Sequence, residues 1–112
     1  MRRTRRAVTA LIALSAFIGA SGGLSAATAA KAIHTVIIDG VKFEPETLTV
    51  KRGDTVVWVN KDPFPHTVTA AGRFDSRSIA GGASWKYTAR AKGTYAYTCT
   101  LHPNMKGVLK VE

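Results

Sequence analysis

The sequence predicts an all-β protein whose single domain is a Greek-key β-sandwich or flattened barrel of seven to eight strands. Apolar residues alternate with polar ones instead of recurring at helical spacing. Turn-forming residues separate these alternating runs at short intervals. A chain of 112 residues has room for only one small domain. We therefore expect antiparallel strands that bury their apolar faces between two sheets.

The first element along the chain is a predicted export signal at residues 1–29. Its basic start precedes an apolar stretch, residues 7–20, that is shorter than the roughly 20 residues of a membrane-spanning helix. Residues 27–29 match the Ala-x-Ala cleavage pattern, so the mature domain is expected to be residues 30–112. An uncleaved N-terminal anchor is the alternative, and the paired arginines leave both the general and the twin-arginine export routes open.

The elements that follow are short strands bounded by turns. Alternation marks Leu48 and Val50, Val68 with His66 and Ala70, Trp85 and Tyr87, Tyr95 with Tyr97 and Cys99, and Leu109 and Val111. A nearly continuous apolar run at residues 56–59 predicts a strand that is covered on both faces. Turn signals lie at residues 39–40, 44–45, 52–54, 62–63, 81–82, 92–93 and 102–104.

The charge balance is basic. Sixteen Lys and Arg against seven Asp and Glu give a net charge of +9, and +5 remains without Arg2, Arg3, Arg5 and Arg6. A partner with an acidic face is one expectation, and a merely solvated basic surface is the other, because Lys61, Arg73, Arg77 and Lys106 are scattered. Nucleic acid is not an expected partner, since no basic stretch is interleaved with aromatic residues. The size also excludes an enzyme with separate nucleotide and substrate domains.

The most informative stretch is Cys-x-x-His-x-x-Met at Cys99, His102 and Met105. It places a thiolate, an imidazole and a thioether on one tight loop after an aromatic strand. Thiolate and thioether suit Cu(I), and imidazole binds both oxidation states, so the set favours copper. Each residue alone has an ordinary explanation, as a core cysteine, a loop histidine and a gap-filling methionine. Their coincidence in an exported chain with a single cysteine favours a metal site.

A trigonal copper site needs a second histidine. His66 is the better candidate because it follows a Pro-Phe-Pro segment at the start of a predicted strand, where several loops of a sandwich meet. His34 is expected to be a surface histidine at the fraying N-terminal edge.

The chain resembles the cupredoxins, the small blue-copper proteins, over essentially the whole mature domain. Residues 43–45 and 48–60 resemble the family's second and third strands, residues 65–68 its first-ligand segment, and residues 93–105 its last strands and ligand loop. Two residues between His102 and Met105 give the short loop of amicyanins, whereas plastocyanins and pseudoazurins have a longer one. In one departure, Thr67 stands where many relatives have an asparagine that braces the ligand loops.

The resemblance implies that His66, Cys99 and His102 bind one copper ion, with Met105 as a weak axial ligand. It also implies that the edge of His102 is exposed in an apolar patch, for which Phe64, Pro65, Leu101, Pro103 and Met105 are the candidates. The expected function is single-electron transfer in the periplasm, or after secretion, between redox partner proteins such as a c-type cytochrome or a dehydrogenase. The carrier is expected to be a monomer without stable membrane insertion.

Two other functions compete with electron transfer. A copper buffer or delivery protein would use exposed, labile Met- or His-rich ligands, and the predicted mature chain has one methionine. A metal-free adhesion sandwich would leave Cys99 as core and His-x-x-Met unexplained. No enzyme activity is expected, because no open metal position and no general acid or base are evident beside the site.

Overall fold

Residues 30–112, which the computed structural model describes, form nine β-strands in two sheets. The first sheet has the order β2-β1-β4-β7 and the second has the order β3-β9-β8-β5-β6. The strands are β1 (Ile33–Ile38), β2 (Phe43–Glu44), β3 (Thr47–Val50), β4 (Thr55–Asn60), β5 (Thr69–Ala70), β6 (Phe74–Asp75), β7 (Ser84–Thr88), β8 (Gly93–Cys99) and β9 (His102–Val111). The export signal predicted at residues 1–29 lies outside the described residues.

The all-β sandwich is confirmed, with two differences from the expected arrangement. Nine strands form instead of seven or eight, because β2, β5 and β6 have two residues each and are too short to show alternation. The expectation of purely antiparallel pairing is wrong for two pairs, since β1 pairs parallel with β4 and β3 pairs parallel with β9. Turn signals show where the chain reverses, but they do not show which strands meet after it crosses between sheets.

The parallel pairing of β1 with β4 determines what lies at each end of the sandwich. Ile33 is opposite Thr55 and Ile38 is opposite Asn60, so both strands start at the same end. The residues just before β4 therefore lie beside the start of β1, and those just after β4 lie beside the end of β1. Between β1 and β4 the chain forms β2 in the first sheet, crosses to form β3 in the second sheet, and returns. It can therefore enter β4 in the same direction as β1.

An aromatic cluster fills the space between the sheets. Trp58 is completely buried, and its indole N–H donates to the Tyr97 hydroxyl at 3.2 Å. Burial raises the pKa of Tyr97 to about 12. Gly107 pairs opposite Tyr97, and a β-carbon at this position would overlap the tyrosine ring. The core thus ties β4 firmly to the β8–β9 hairpin.

The apolar run at residues 56–59 is not covered equally on both faces. Val56 and Trp58 are completely buried, whereas Val57 and Val59 are half-buried. No helix in the described part of the chain is long and apolar enough to cross a membrane.

Candidate metal centre

One end of the sandwich brings together three of the predicted ligands. The ligand atoms of His66, Cys99 and His102 all lie within 4.8 Å of one another. The Cys99 Sγ is 3.7 Å from His66 Nδ1 and 3.6 Å from His102 Nδ1. Both rings therefore turn the same nitrogen toward the sulfur.

The β8–β9 hairpin positions Cys99 and His102, and backbone pairing with Ile79 positions His66. Cys99 ends β8 and His102 begins β9, so the turn of the hairpin holds them as a pair at its tip. His66 lies outside any strand, but its backbone N–H and C=O both bond to Ile79, at 3.1 and 2.7 Å. The sequence predicted a ligand loop at residues 99–105, whereas the structure places His102 and Met105 within β9.

The Cys99 sulfur is buried and receives a backbone hydrogen bond. Its exposed fraction is 0%, and the Thr67 N–H donates to Sγ at 3.2 Å. A donor aimed at a thiolate stabilises its negative charge and tunes any metal that the sulfur binds.

The Thr67 hydroxyl connects the two ligand segments by hydrogen bonds. The Thr100 N–H donates to Thr67 Oγ1 at 2.8 Å, and the two threonine hydroxyls lie 3.1 Å apart. Thr69 donates a further hydrogen bond to the same oxygen at 3.0 Å. The segment carrying His66 is therefore fastened through Thr67 to the segment carrying Cys99.

Sequence reasoning missed one residue of this site, Asp62. Its Oδ2 lies 2.7 Å from His66 Nε2, and the side chain is almost fully buried. The N–H of Val41, followed by His66 and the N–H of Gly40, holds the pKa of Asp62 below its ordinary value against the opposing effect of burial. The sequence showed only an Asp-Pro turn, because Asp62 approaches residues 40–41 through the cross-over between sheets.

Met105 and His34, the two other residues singled out in the sequence, both lie on strands, in β9 and β1 respectively. Met105 follows His102 by three residues on β9 and is 3% exposed, within the core. His34 lies outside the cluster, as predicted, but it is not a free surface histidine. It is half-buried, and its Nε2 is 2.9 Å from Asp54 Oδ2.

Exposed apolar side chains surround His102 at the protein surface. Leu101 is 54% exposed and Phe64 is 40% exposed, and the Phe64 ring lies 5.8 Å from the His102 ring. Pro65 and Pro103 are exposed as well. The predicted patch is present with these four residues, but Met105 is too deeply buried to supply much of it.

A β-sandwich with two imidazoles and one thiol clustered at a single end defines a class of small metal-binding proteins. The family model for the Cupredoxin-like domain matches residues 8–111, and the chain belongs to this family. The predicted resemblance to cupredoxins, and to amicyanins among them, is confirmed.

Relatives and solved structures agree with the family model. The chain is 36% identical to amicyanin of Paracoccus denitrificans over 110 residues, which cover 93% of this chain and 84% of the relative. It is 34% identical over 88 residues to plastocyanin of Scenedesmus fuscus, covering 62% of this chain and 86% of the relative. A structure of the Cu(I) form of a single-residue mutant of amicyanin matches with a TM-score of 0.68 and 36% identity, over 78% of this chain and 89% of that one.

The donors present fit one copper ion. Copper accepts a soft thiolate together with imidazole nitrogens, and the two Nδ1 atoms already face the sulfur. A zinc-only site would more often use further Cys or His ligands.

Proposed function

We propose that this protein is an exported carrier of single electrons that would use one copper ion held by His66, Cys99 and His102, with Met105 as a fourth and weaker ligand. The observation that carries the proposal is the convergence of two Nδ1 atoms on the buried Cys99 sulfur, with all three donors within 4.8 Å. When bound, copper supplies a one-electron change between Cu(II) and Cu(I).

The protein's own contribution is to keep the donors in place in both oxidation states. Thr67 fastens the two ligand segments through its hydroxyl, and its N–H holds the sulfur. The hairpin β8–β9 fixes the spacing of Cys99 and His102. Donors that move little on reduction keep the rearrangement, and hence the barrier to electron transfer, small. A thioether as the fourth donor favours Cu(I) and thus a fairly high reduction potential.

The surface around His102 suits brief contact with a redox partner. Phe64 and Leu101 offer a small apolar area next to a half-buried ring, and small contacts release quickly. A charge of +5 without the N-terminal arginines favours a partner with an acidic face, such as a c-type cytochrome or a dehydrogenase. Under this proposal residues 1–29 are removed on export, and the monomer of residues 30–112 works in the periplasm or outside the cell.

Electron transfer fits better than copper delivery or catalysis. The thiol is completely buried, whereas a delivery site needs exposed and labile ligands. A copper-containing nitrite reductase from Thermus scotoductus SA-01 shares the fold, with a TM-score of 0.67 and 29% identity over 70% of this chain. The match covers only 22% of that enzyme, so its activity gives no ground for proposing catalysis here.

The visible spectrum after addition of Cu(II) tests the function. We expect an intense blue thiolate-to-copper band at one copper per chain, and its loss in Cys99→Ser. Met105→Leu should keep the copper and raise the reduction potential, since it removes only the weak ligand. Weak absorption without a thiolate band would support copper delivery, and no spectral change would support a metal-free module.

A further inference from the structure

The buried carboxylate behind His66 is the feature that the proposed function leaves unused. We propose that Asp62, held by the Gly40-Val41 turn, is a positioning residue that fixes the tautomer and orientation of the His66 ring and strengthens it as a ligand. The ligand-strength part of this inference rests on the proposed copper site, whereas the tautomer does not.

The hydrogen bond between Asp62 and His66 defines which ring nitrogen is free. An ionised carboxylate only accepts hydrogen bonds, so Nε2 must carry the proton that it donates to Oδ2 at 2.7 Å. In a neutral ring the lone pair then lies on Nδ1, the nitrogen that faces the Cys99 sulfur at 3.7 Å. Because His66 has an exposed fraction of 0%, its ring is out of contact with bulk solvent.

The carboxylate is itself held from several directions. Its Oδ1 accepts from the Gly40 N–H at 2.8 Å and its Oδ2 accepts from the Val41 N–H at 3.0 Å. The Asp62 N–H donates to Asn60 Oδ1 at 3.0 Å. Asn60 in turn donates to the carbonyls of Phe64 and Ile79, both at 2.9 Å. Asp62 therefore cannot turn away from His66 without breaking this network.

The turn that holds Asp62 adopts an unfavourable conformation to do so. Gly40 and Val41 have φ values of 61° and 59°, and a left-handed conformation is an outlier for a β-branched residue such as Val41. Successive N–H groups in such a turn point the same way and form a cradle for an anion. The Asp62 carboxylate occupies that cradle, which explains why the strained conformation persists.

Asp54 supplies a matched control within the same chain. Its carboxylate also accepts two backbone N–H bonds, from Ala32 and Lys51, both at 3.0 Å, and it also lies against a histidine Nε2. That histidine, His34, is outside the cluster of donors. A change of Asp to Asn is chemically identical at the two positions. A difference in copper affinity between the two variants would therefore come from the position of Asp62 beside His66.

The first test needs no substitution and no copper. Nitrogen NMR of the wild-type apoprotein, expressed from the full coding sequence, should show His66 as a single Nε2–H tautomer. An Nδ1–H tautomer, or an average of the two, would overturn the proposal. This result is independent of whether the protein carries electrons.

The second test compares Asp62→Asn with Asp54→Asn. Loss of a carboxylate partner lowers the donor strength of a histidine and typically costs about 10- to 100-fold in metal affinity. We expect a loss of this size in Cu(II) affinity for Asp62→Asn, a smaller loss for Cu(I), and changes below about twofold for Asp54→Asn. Each tenfold difference between the Cu(II) and Cu(I) losses raises the reduction potential by about 59 mV.

Two results separate the inference from the proposed function. Equal Cu(II) affinities and potentials in Asp62→Asn and Asp54→Asn would overturn the role of Asp62 as a ligand-strengthening group, even if the wild type is blue. If the wild type bound no copper, the proposed function would fail and the NMR result alone would decide the positioning of His66. Should Asp62→Asn not fold, the wild-type NMR experiment still decides.

Discussion

The two ends of β4 use the same local chemistry for different purposes. Asp54 precedes the strand and Asp62 follows it, so they lie at opposite ends of a strand roughly 20 Å long. Each buried carboxylate accepts two backbone N–H bonds and lies against a histidine Nε2. The two ends differ in what the other nitrogen of each histidine ring, Nδ1, faces. His66 turns its other nitrogen toward the Cys99 sulfur, whereas His34 is 27% exposed and outside the donor cluster.

A histidine–carboxylate pair therefore does not by itself mark a metal site. At the Asp54 end, the pair fastens the segment that precedes β1, because Asp54 also accepts the Ala32 N–H at 3.0 Å. At the Asp62 end, the same pair stands behind a cluster of soft and nitrogen donors. The two pairs differ in what the second ring nitrogen faces, so the two ends can be tested against each other.

The largest expected difference is the loss of copper binding. His66→Ala removes one of three strong donors, so the blue band should disappear, whereas His34→Ala should keep it at full intensity. Visible spectra at one equivalent of Cu(II) measure both variants. The reverse outcome, with His34 needed for the colour and His66 dispensable, would show that the ligand assignment is wrong.

A second expected effect concerns the hydrogen bonds that brace the metal end, which is the end of the sandwich with His66, Cys99 and His102. Thr67→Val removes the hydroxyl that accepts from the Thr100 N–H, and the apoprotein should lose about 1–3 kcal/mol of unfolding free energy. Urea unfolding measures the loss. The Cys99 sulfur should keep its backbone donor, so the blue band should survive in the loaded variant. Unchanged stability would mean that the threonine bridge does not fasten the two ligand segments.

A third effect concerns the charges at the two ends. Lys42 lines the groove beside His102, and Lys51 lines the one beside His34. With a partner whose docking face is acidic, Lys42→Glu should slow electron exchange several-fold at low salt, and Lys51→Glu should slow it by less than about twofold. Stopped-flow kinetics at two ionic strengths measure this. Equal slowing in both variants would favour a general charge effect over docking at His102.

The smallest effect is a pH dependence at the Asp54 end. The N–H of Ala32, then His34 and the N–H of Lys51, lowers the pKa of Asp54 from 3.8 to about 2. Its ionised form therefore stabilises the fold above about pH 4, and this contribution is lost as the pH falls toward about 2. Apo Asp54→Asn should be less stable than the wild type at pH 7, with a gap that narrows on acidification. A gap that stays constant between about pH 7 and about pH 2.5 would contradict this.

Much of the metal end could be predicted because its residues are close in sequence. Cys99 and His102 are three residues apart at the end of an alternating strand, so any hairpin there brings them together. His66 could be predicted as the second histidine ligand from its place after a Pro-Phe-Pro segment and from the family resemblance. Met105 was predicted as a member of the exposed patch, which is wrong, because the return of β9 into the core buries it.

The rest depends on contacts that sequence spacing does not reveal. Asp62 accepts from residues 40–41, and Asp54 meets His34, only because β1 and β4 run parallel after the chain crosses between sheets. Parallel pairing leaves no local turn signal. The two-residue strands β2, β5 and β6 are likewise set by their neighbours in the sheet, since so few residues show no alternation.

Copper-edge anomalous diffraction from crystals of the loaded protein locates the bound metal. We predict one anomalous peak per chain, located between the Cys99 sulfur and the Nδ1 atoms of His66 and His102. A main peak beside His34 and Asp54, or no peak within bonding distance of the Cys99 sulfur, would show that these three residues do not bind the copper.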